Sequence, residues 1–312
     1  MMMSKKSGDN RTILATTSSF NAALPPLRQK FRLVANPWKR KLTEDELLAL
    51  LEEHRPVGLL AGTEPVTRRV LAAAQGYLRV VSRVGAGWDN VDHEAAGELR
   101  IRVYRTVGVL TQAVAELTLG LILAALRSIA LQDRMTRQGK WQKLMGGLLQ
   151  GKTVGIIGFG AIGRRVGELA RAFDCRIIYF DPQASEVDWA ERASLQKLLE
   201  KADIITVHAS GKEMILGPQE LQTLGKREVI LVNTARGELI DEDALHSCLI
   251  EGQIGFACLD VFGREPYQGP LCAVDKVVLT PHIGSYAREA RQMTEEAAIR
   301  NLFSGLEAAG VL

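Results

Sequence analysis

The sequence predicts an α/β protein made of two doubly wound parallel-sheet domains, and three observations lead there. Short apolar runs alternate with helical segments through most of the 312 residues, and strands separated by helices build a parallel sheet covered on both faces. A long apolar helix, Thr111–Arg137, divides that alternation into two stretches. Directly after it, an apolar run, a glycine-rich turn, a helix, a second apolar run and an acid follow one another within Gly151–Asp181. The length is ample for two cores.

In the first stretch, Thr12–Ala15 and Phe31–Val34 read as strands. Thr43 opens a helix, with Glu46 three residues on as the partner in a capping box ahead of Leu47, Leu48, Leu50 and Leu51. Val57–Leu60 is a strand, Pro65–Ala74 a helix, and Leu78–Val84 and Ile101–Tyr104 are strands. Thr111–Arg137, rich in Ala and Leu, reads as one helix buried on most of its sides. After Asp181 the expected order is helix Leu195–Lys201, strand Asp203–His208, helix Gln219–Leu224 and strand Val229–Asn233. Helix Asp241–Ile250, strands Ile254–Leu259 and Val277–Leu279, and a last helix Ala287–Leu306 complete the chain. Pro25–Lys41 carries no clear pattern beyond its one strand.

Composition narrows the function classes. With 46% hydrophobic and 24% charged residues the chain is ordinary for a soluble globular protein. A net charge of +3 without blocks of like charge argues against nucleic acid as a partner. The longest apolar stretch, Leu117–Leu126, is too short to span a bilayer, and Met1–Arg11 is polar, so it reads as a loose tail and not a signal peptide. The four cysteines form no C-x-x-C pair and the five histidines no metal-ligand spacing, so reduced thiols, a cytoplasmic setting and no metal are expected.

Gly151–Asp181 carries the first chemistry. Strand Thr153–Ile157 leads into Gly158-Phe159-Gly160-Ala161-Ile162-Gly163, and Val166, Leu169, Ala170 and Phe173 then follow at helical spacing. A second strand, Cys175–Phe180, ends on Asp181. In this context Gly158 makes the tight turn, Gly160 lets a pyrophosphate approach the backbone, and Gly163 lets helix and strand pack closely. The helix N-terminus supplies free N–H groups and a positive dipole end for the phosphates. Asp181, 18 residues past Gly163, is placed to accept hydrogen bonds from the adenosine ribose and would repel a 2′-phosphate. The expected cofactor is therefore NAD.

Hydride chemistry on a nicotinamide also needs a cation to hold and polarise the substrate, a group that exchanges a proton, and a group that tunes it. In an α/β sheet these belong just past the strand C-termini. Arg236, Glu265 and His282 lie there. The chain resembles the D-isomer-specific 2-hydroxyacid dehydrogenases in the stretches that hold these residues, and most closely their phosphoglycerate dehydrogenase branch. Arg236 stands in Asn233-Thr234-Ala235-Arg236-Gly237-Glu238-Leu239-Ile240-Asp241, Glu265 in Leu259-Asp260-Val261-Phe262 and the following Glu265-Pro266, and His282 in Thr280-Pro281-His282-Ile283-Gly284. Two further stretches match, Ser82–Asp92 and Val114-Ala115-Glu116.

The resemblance implies an NAD-dependent dehydrogenase interconverting a D-2-hydroxy acid and its 2-oxo acid. Its NAD-binding Rossmann domain (residues 107–286) would be inserted into a flavodoxin-like substrate domain (residues 1–106 plus 287–312). It assigns catalysis to Arg236, Glu265 and His282, with Arg236 on the substrate's carboxylate and carbonyl, His282 exchanging the proton, and Glu265 favouring the imidazolium. Cofactor contacts fall to Gly158, Gly160, Ala161, Ile162, Gly163, Asp181, Thr111, Thr234, Ala235 and Asp260. Substrate contacts fall to Arg83, Val84, Gly85, Ala86 and Arg236, with Lys143 reaching the site of a partner subunit in a homodimer.

Departures bear on the substrate. Where the branch has an arginine that binds the substrate phosphate, this chain has Ala61, in Ala61-Gly62-Thr63-Glu64-Pro65-Val66-Thr67. Arg83 matches a second phosphate arginine. The family's H-x-P-x-T-x-x-T segment is shortened to His208–Glu213, with Ser210 expected to remake its ribose contact, and feedback through an appended regulatory domain is not expected. His208 reads as structural, and His54, His93 and His246 receive no role. 3-Phosphoglycerate is the first substrate to try, with a glyoxylate or hydroxypyruvate reductase of the same family as the alternative. A non-catalytic NAD(H)-sensing, corepressor-like binding protein is the reading of a different class. Relatives acting on formate are disfavoured by Glu265, where those enzymes carry Gln.

Overall fold

The computed structural model describes residues 11–17, 24–225 and 228–312. The polar stretch before Arg11 lies outside these. The chain divides into two compact units, one running to Leu110 and resuming at Ala287–Leu312, the other Thr111–Tyr286.

The first unit is a five-stranded parallel sheet. In chain order it holds β1 (Thr12–Ala15), α1 (Leu24–Lys30), β2 (Arg32–Ala35), α2 (Glu44–His54), β3 (Gly58–Ala61), α3 (Arg68–Ala73), β4 (Val80–Arg83), α4 (His93–Glu98) and β5 (Arg102–Arg105). Strand order is β2-β1-β3-β4-β5, every pair parallel, so the order reverses between β1 and β3. Alternate residues serve opposite faces. Leu14, Leu59, Ala61 and Val81 pack with the leucines of α2 and with Val70, Leu71, Ala95 and Ala96. Ile13, Ala15, Leu60 and Val80 pack under Leu27, Ala298, Ile299, Leu302 and Leu306. The capping box at Thr43 forms as the sequence predicts, with Glu46 N donating to Thr43 Oγ1 and Thr43 N to Glu46. Helix α3 starts at Arg68, later than Pro65, because Val66 pairs with Val91 in a bridge and Thr67 becomes the N-cap.

The second unit begins with α5 (Thr111–Leu126) and α6 (Ile129–Arg137) and continues through β6 (Thr153–Ile157), α7 (Ala161–Arg171), β7 (Arg176–Phe180) and β8 (Glu191–Arg192). Next come α8 (Leu195–Lys201), β9 (Ile204–Val207), α9 (Pro218–Thr223), β10 (Ile230–Asn233), α10 (Glu242–Ile250), β11 (Phe256–Leu259) and β12 (Val277–Leu279). The last helix, α11 (Arg288–Ala308), belongs to the first unit, where Ser82 Oγ donates to the Ala298 carbonyl at 2.8 Å. The sheet order is β12-β11-β10-β9-β6-β7-β8, all parallel. β6, β9, β10 and β11 are buried on both faces, which is why they read as unbroken apolar runs.

The single helix expected over Thr111–Arg137 is two helices bent by 62°. The ladder stops at Ser128, whose φ is +47°. Chain further on takes the freed carbonyls: Gly147 N donates to Leu126 O at 2.9 Å and Gln132 Nε2 to Arg127 O at 2.7 Å. α5 buries nine of its residues and α6 none. Past α6, Trp141, Met145 and Leu148 are 86%, 98% and 70% exposed in a segment without regular structure. Among the described residues no single helix is long and apolar enough to cross a membrane. Phe173 lies past the end of α7 and is exposed, so Val166 and Ala170 alone of the expected face are fully buried. Cys175, Cys248 and Cys258 are buried free thiols, and burial pushes Cys258 up to about 12.

Candidate active site

The glycine turn between β6 and α7 has the shape its spacing predicts. Gly158 sits at φ +89°, and a Cβ there would lie 2.4 Å from Ala209 N. At Gly163 a Cβ would lie 2.1 Å from the Gly158 carbonyl, whereas one at Gly160 would meet open space. Gly160 is the N-cap of α7 and offers no side-chain cap, so the N–H groups of Ala161, Ile162 and Gly163 have no intrahelical acceptor. An 11-residue helix that opens without a cap, onto space free of side chains, fits a pyrophosphate. Asp181, just past β7, accepts from Phe159 N at 2.7 Å, Gln183 N at 2.8 Å and Ala184 N at 3.1 Å. Of about four carboxylate lone-pair sites one is left for a ribose hydroxyl.

Beside the turn, at the ends of β9 and β10, a chain of side chains runs through His208. Thr118 Oγ1 donates to the Val114 carbonyl at 2.8 Å, so it accepts from Thr234 Oγ1 at 3.1 Å. With its one proton so placed, Thr234 can only accept from His208 Nδ1, at 3.5 Å. The ring's Nε2 then accepts from Thr206 Oγ1 at 2.9 Å. Burial pushes the imidazole down to about 3, so His208 is neutral with its proton on Nδ1. Thr111 begins α5, four residues ahead of Ala115 in the core.

Arg236, Glu265 and His282 follow β10, β11 and β12, three successive neighbours in the sheet. The Arg236 turn is held from its own ends. Asn233 Nδ2 donates to Arg236 O at 2.8 Å, Ala235 N to Asn233 Oδ1 at 3.0 Å, and Arg236 Nη1 to Ala235 O at 2.7 Å. Gly237 has no room for a side chain, since a Cβ would fall 1.9 Å from Phe262 C. Glu265 and His282 are brought together. His282 Nδ1 lies 3.1 Å and 3.0 Å from the two Glu265 oxygens, which places the proton of Nδ1 between them and leaves Nε2 to face outward.

What holds His282 in place is Asp260. This carboxylate is 1% exposed. It accepts from Thr280 Oγ1 at 2.6 Å, Ile283 N at 2.8 Å and Gly284 N at 2.8 Å, closing the loop on both sides of the histidine. His282 itself adopts φ +55°, in the left-handed region, a strain of order 1 kcal/mol or more that the three bonds offset. Asp260, which the resemblance assigns to the cofactor, is bonded in the structure to the histidine loop.

In the first unit, Val84, Gly85 and Ala86 follow β4. Gly85 has φ +152°, and a Cβ on it would lie 2.5 Å from an Arg83 nitrogen, so the guanidinium lies against this turn. Arg83 donates to the Val84 carbonyl. Ala61 is fully buried in the core. Lys143 is exposed in the segment after α6. Ser210 is exposed beyond β9. Thr118 and Glu64 are among the buried polar residues that the sequence does not mark. Thr118 also meets Thr234, 116 residues on, and Glu64 meets Thr16, 48 residues back, partners that no local pattern reveals. Among the described residues no group of three or more His, Cys, Asp or Glu could hold a metal ion.

Known proteins share much of this chain. The family profile described as D-isomer specific 2-hydroxyacid dehydrogenase, NAD binding domain, matches residues 119–284. A glyoxylate reductase of Thermofilum pendens is 40% identical over 261 residues, covering 78% of this chain and 76% of its own. A D-3-phosphoglycerate dehydrogenase of Methanocaldococcus jannaschii is 40% identical over 262 residues, covering 80% of this chain and 49% of its own. Among solved structures, the TT0316 protein from Thermus thermophilus superposes with a TM-score of 0.88 at 36% identity, covering 95% of this chain and 97% of its own.

Proposed function

We propose that this chain, which belongs to the D-isomer specific 2-hydroxyacid dehydrogenases, reduces a small unphosphorylated 2-oxo acid, glyoxylate or hydroxypyruvate, to the corresponding 2-hydroxy acid with NADH. The enzyme class follows from the family; the substrate and the residue roles are our reading. The His282–Glu265 pair carries it, on a loop fixed by Asp260 and one strand removed from the Arg236 turn by way of β11. The nicotinamide supplies the hydride.

The protein's own groups do the rest. Arg236 offers a planar fork of donors to the substrate's carboxylate and carbonyl oxygens. Because Nδ1 of His282 is engaged by Glu265, the transferable proton sits on Nε2, and it goes to the carbonyl oxygen as negative charge develops there. Glu265 holds the ring in that orientation and stabilises the positive charge that the ring carries before the transfer. In the first unit, the N–H groups of Val84, Gly85 and Ala86 are assigned the carboxylate, with the Arg83 guanidinium beside them. Two things support an unphosphorylated substrate. Ala61 puts a methyl group in the core where the phosphoglycerate branch has a cation, and glyoxylate reductases are among the relatives.

A second reading, oxidation of 3-phosphoglycerate, is favoured by Arg83 and by the Methanocaldococcus relative. The experiment is a panel of glyoxylate, hydroxypyruvate, pyruvate and 3-phosphohydroxypyruvate with NADH and NADPH. Turnover of the first two is expected. Turnover of the phosphorylated acid alone favours the second reading, and no turnover of any overturns both. We also propose that the molecule is a homodimer, supported by the exposed Trp141, Met145 and Leu148.

A further inference from the structure

The strand order of the smaller sheet reverses between β1 and β3, and open parallel α/β sheets bind ligands outside the strand ends at such a reversal. Glu64 occupies that place. Its Oε1 accepts from the hydroxyl of Thr16, the first residue past β1, and from the N–H of Gly62, the first residue past β3, at 2.9 Å. The side chain is folded back over Gly62, where an added Cβ would lie 2.6 Å from Oε2. Asn90 fastens the same loop, donating to the carbonyls of Gly62 at 3.2 Å and Glu64 at 2.6 Å. The residue is 1% exposed, and it belongs to none of the ion pairs among the described residues.

A buried carboxylate with no counter-ion is costly, and two hydrogen bonds offset only part of that cost. Glutamine would accept the same two bonds without the charge. The fold therefore has no need of the charge itself, only of the acceptor. A charge in so dry a place acts over several ångströms, weakly screened by salt.

We propose that Glu64 is a specificity-determining residue which rejects 2-oxo acids with an anionic far end, phosphorylated ones above all. This rests on the reading that the chain reduces 2-oxo acids. β3 and β4 are neighbours in register, Ala61 opposite Arg83, and adjacent strands lie about 5 Å apart. With a substrate carboxylate on the Val84–Ala86 turn, one strand over from the β3 loop, the rejection requires the C3 substituent to turn towards Glu64. A phosphate there meets a like charge that it can neither pair with nor hydrate. Glyoxylate has no C3 and does not register the charge, and an uncharged hydroxyl is tolerated. Arg83 does not cancel the effect, because its guanidinium is turned onto the Val84 carbonyl, at the carboxylate end.

The test compares kcat/KM for glyoxylate, hydroxypyruvate and 3-phosphohydroxypyruvate in the wild type and in Glu64→Gln, with thermal melting of each. In the wild type hydroxypyruvate should exceed 3-phosphohydroxypyruvate by at least about a hundredfold, as expected where a like charge suppresses a wrong partner. Glu64→Gln should raise the phosphorylated acid's share at least about tenfold, leave glyoxylate within about threefold, and melt no lower than the wild type. A loop-building role alone would lower the melting temperature and slow all three substrates together, leaving the ratio fixed. That result overturns the inference. So does a wild type that uses hydroxypyruvate and its phosphate equally well, a comparison that needs no variant. Failure of all three substrates overturns the 2-oxo acid reading and this inference with it, whereas turnover of all three at similar rates overturns this inference alone.

Discussion

At the scale of single residues, side chains engaged by one another define what each can still do. His282 gives Nδ1 to Glu265, so in the proposed reaction proton exchange falls to its remaining nitrogen. His282→Ala should lower kcat/KM by about 10²–10⁴ and leave the NADH dissociation constant within about threefold, measured by fluorescence titration. Equal losses in both would argue against proton transfer. Asp260→Ala removes acceptors from one hydroxyl and two backbone N–H groups; the loss of stability in urea should be about 2–4 kcal/mol, with activity falling although no catalytic group has changed. His208 gives a pH signature. Its folded value, about 3, lies below the ordinary 6.5, so the unfolded chain takes up the proton first. Its contribution is complete above about pH 6.5 and drains away as the pH falls towards about 3. Urea midpoints should therefore drop between about pH 7 and pH 5, and by less in His208→Gln. The pairing of histidine and glutamate was legible in the sequence, since both lie in motifs after strands. The Asp260 clasp and the burial of Glu64 were not, because the Asp260 partners lie 20–24 positions on and the Thr16 hydroxyl that meets Glu64 lies 48 positions back.

Elements show a similar division. Caps and glycines are local and could be read directly. Thr43 and Glu46 form their box, and Arg40 with the Thr43 N–H holds the Glu46 carboxyl down at about 2. That box should therefore weaken only as the pH falls from about 4.5 towards about 2. Gly163 separates α7 from the Gly158 carbonyl, so Gly163→Ala forces a shift where a Cβ would stand 2.1 Å away. It should cost about 1–3 kcal/mol in urea and weaken NADH binding more than it slows turnover at saturating NADH. Unchanged affinity would sever the link between this packing and the cofactor. The break between α5 and α6 was illegible for a physical reason. Residues Leu126–Ser128 contain neither Gly nor Pro, and the helix ends because Gly147, 21 residues on, captures the Leu126 carbonyl. The apolar surplus of Thr111–Leu126 announced a buried helix. Where that helix stops depended on chain not yet reached.

For the whole molecule, two units each repeat the same arrangement: parallel strands with helices on both faces. The sequence grammar was strong enough to show both sheets, because fully buried parallel strands leave no room for polar alternation. The number of copies is a different matter, since it rests on surface. Light scattering should give a dimer at micromolar concentration, and Trp141→Asp with Met145→Asp should give a monomer that still binds NADH. A wild-type monomer would refute the assembly. The exposed stretch after α6 has one more consequence, for proteolysis. Lys140 and Lys143 stand in irregular, solvent-facing chain beside Trp141, which is where trypsin cuts a folded protein first. If a second copy lies over this stretch, cleavage there must slow as the protein is concentrated, because the protease can reach the bond only in the dissociated chain. Digestion at a rate indifferent to concentration would mean that nothing covers it.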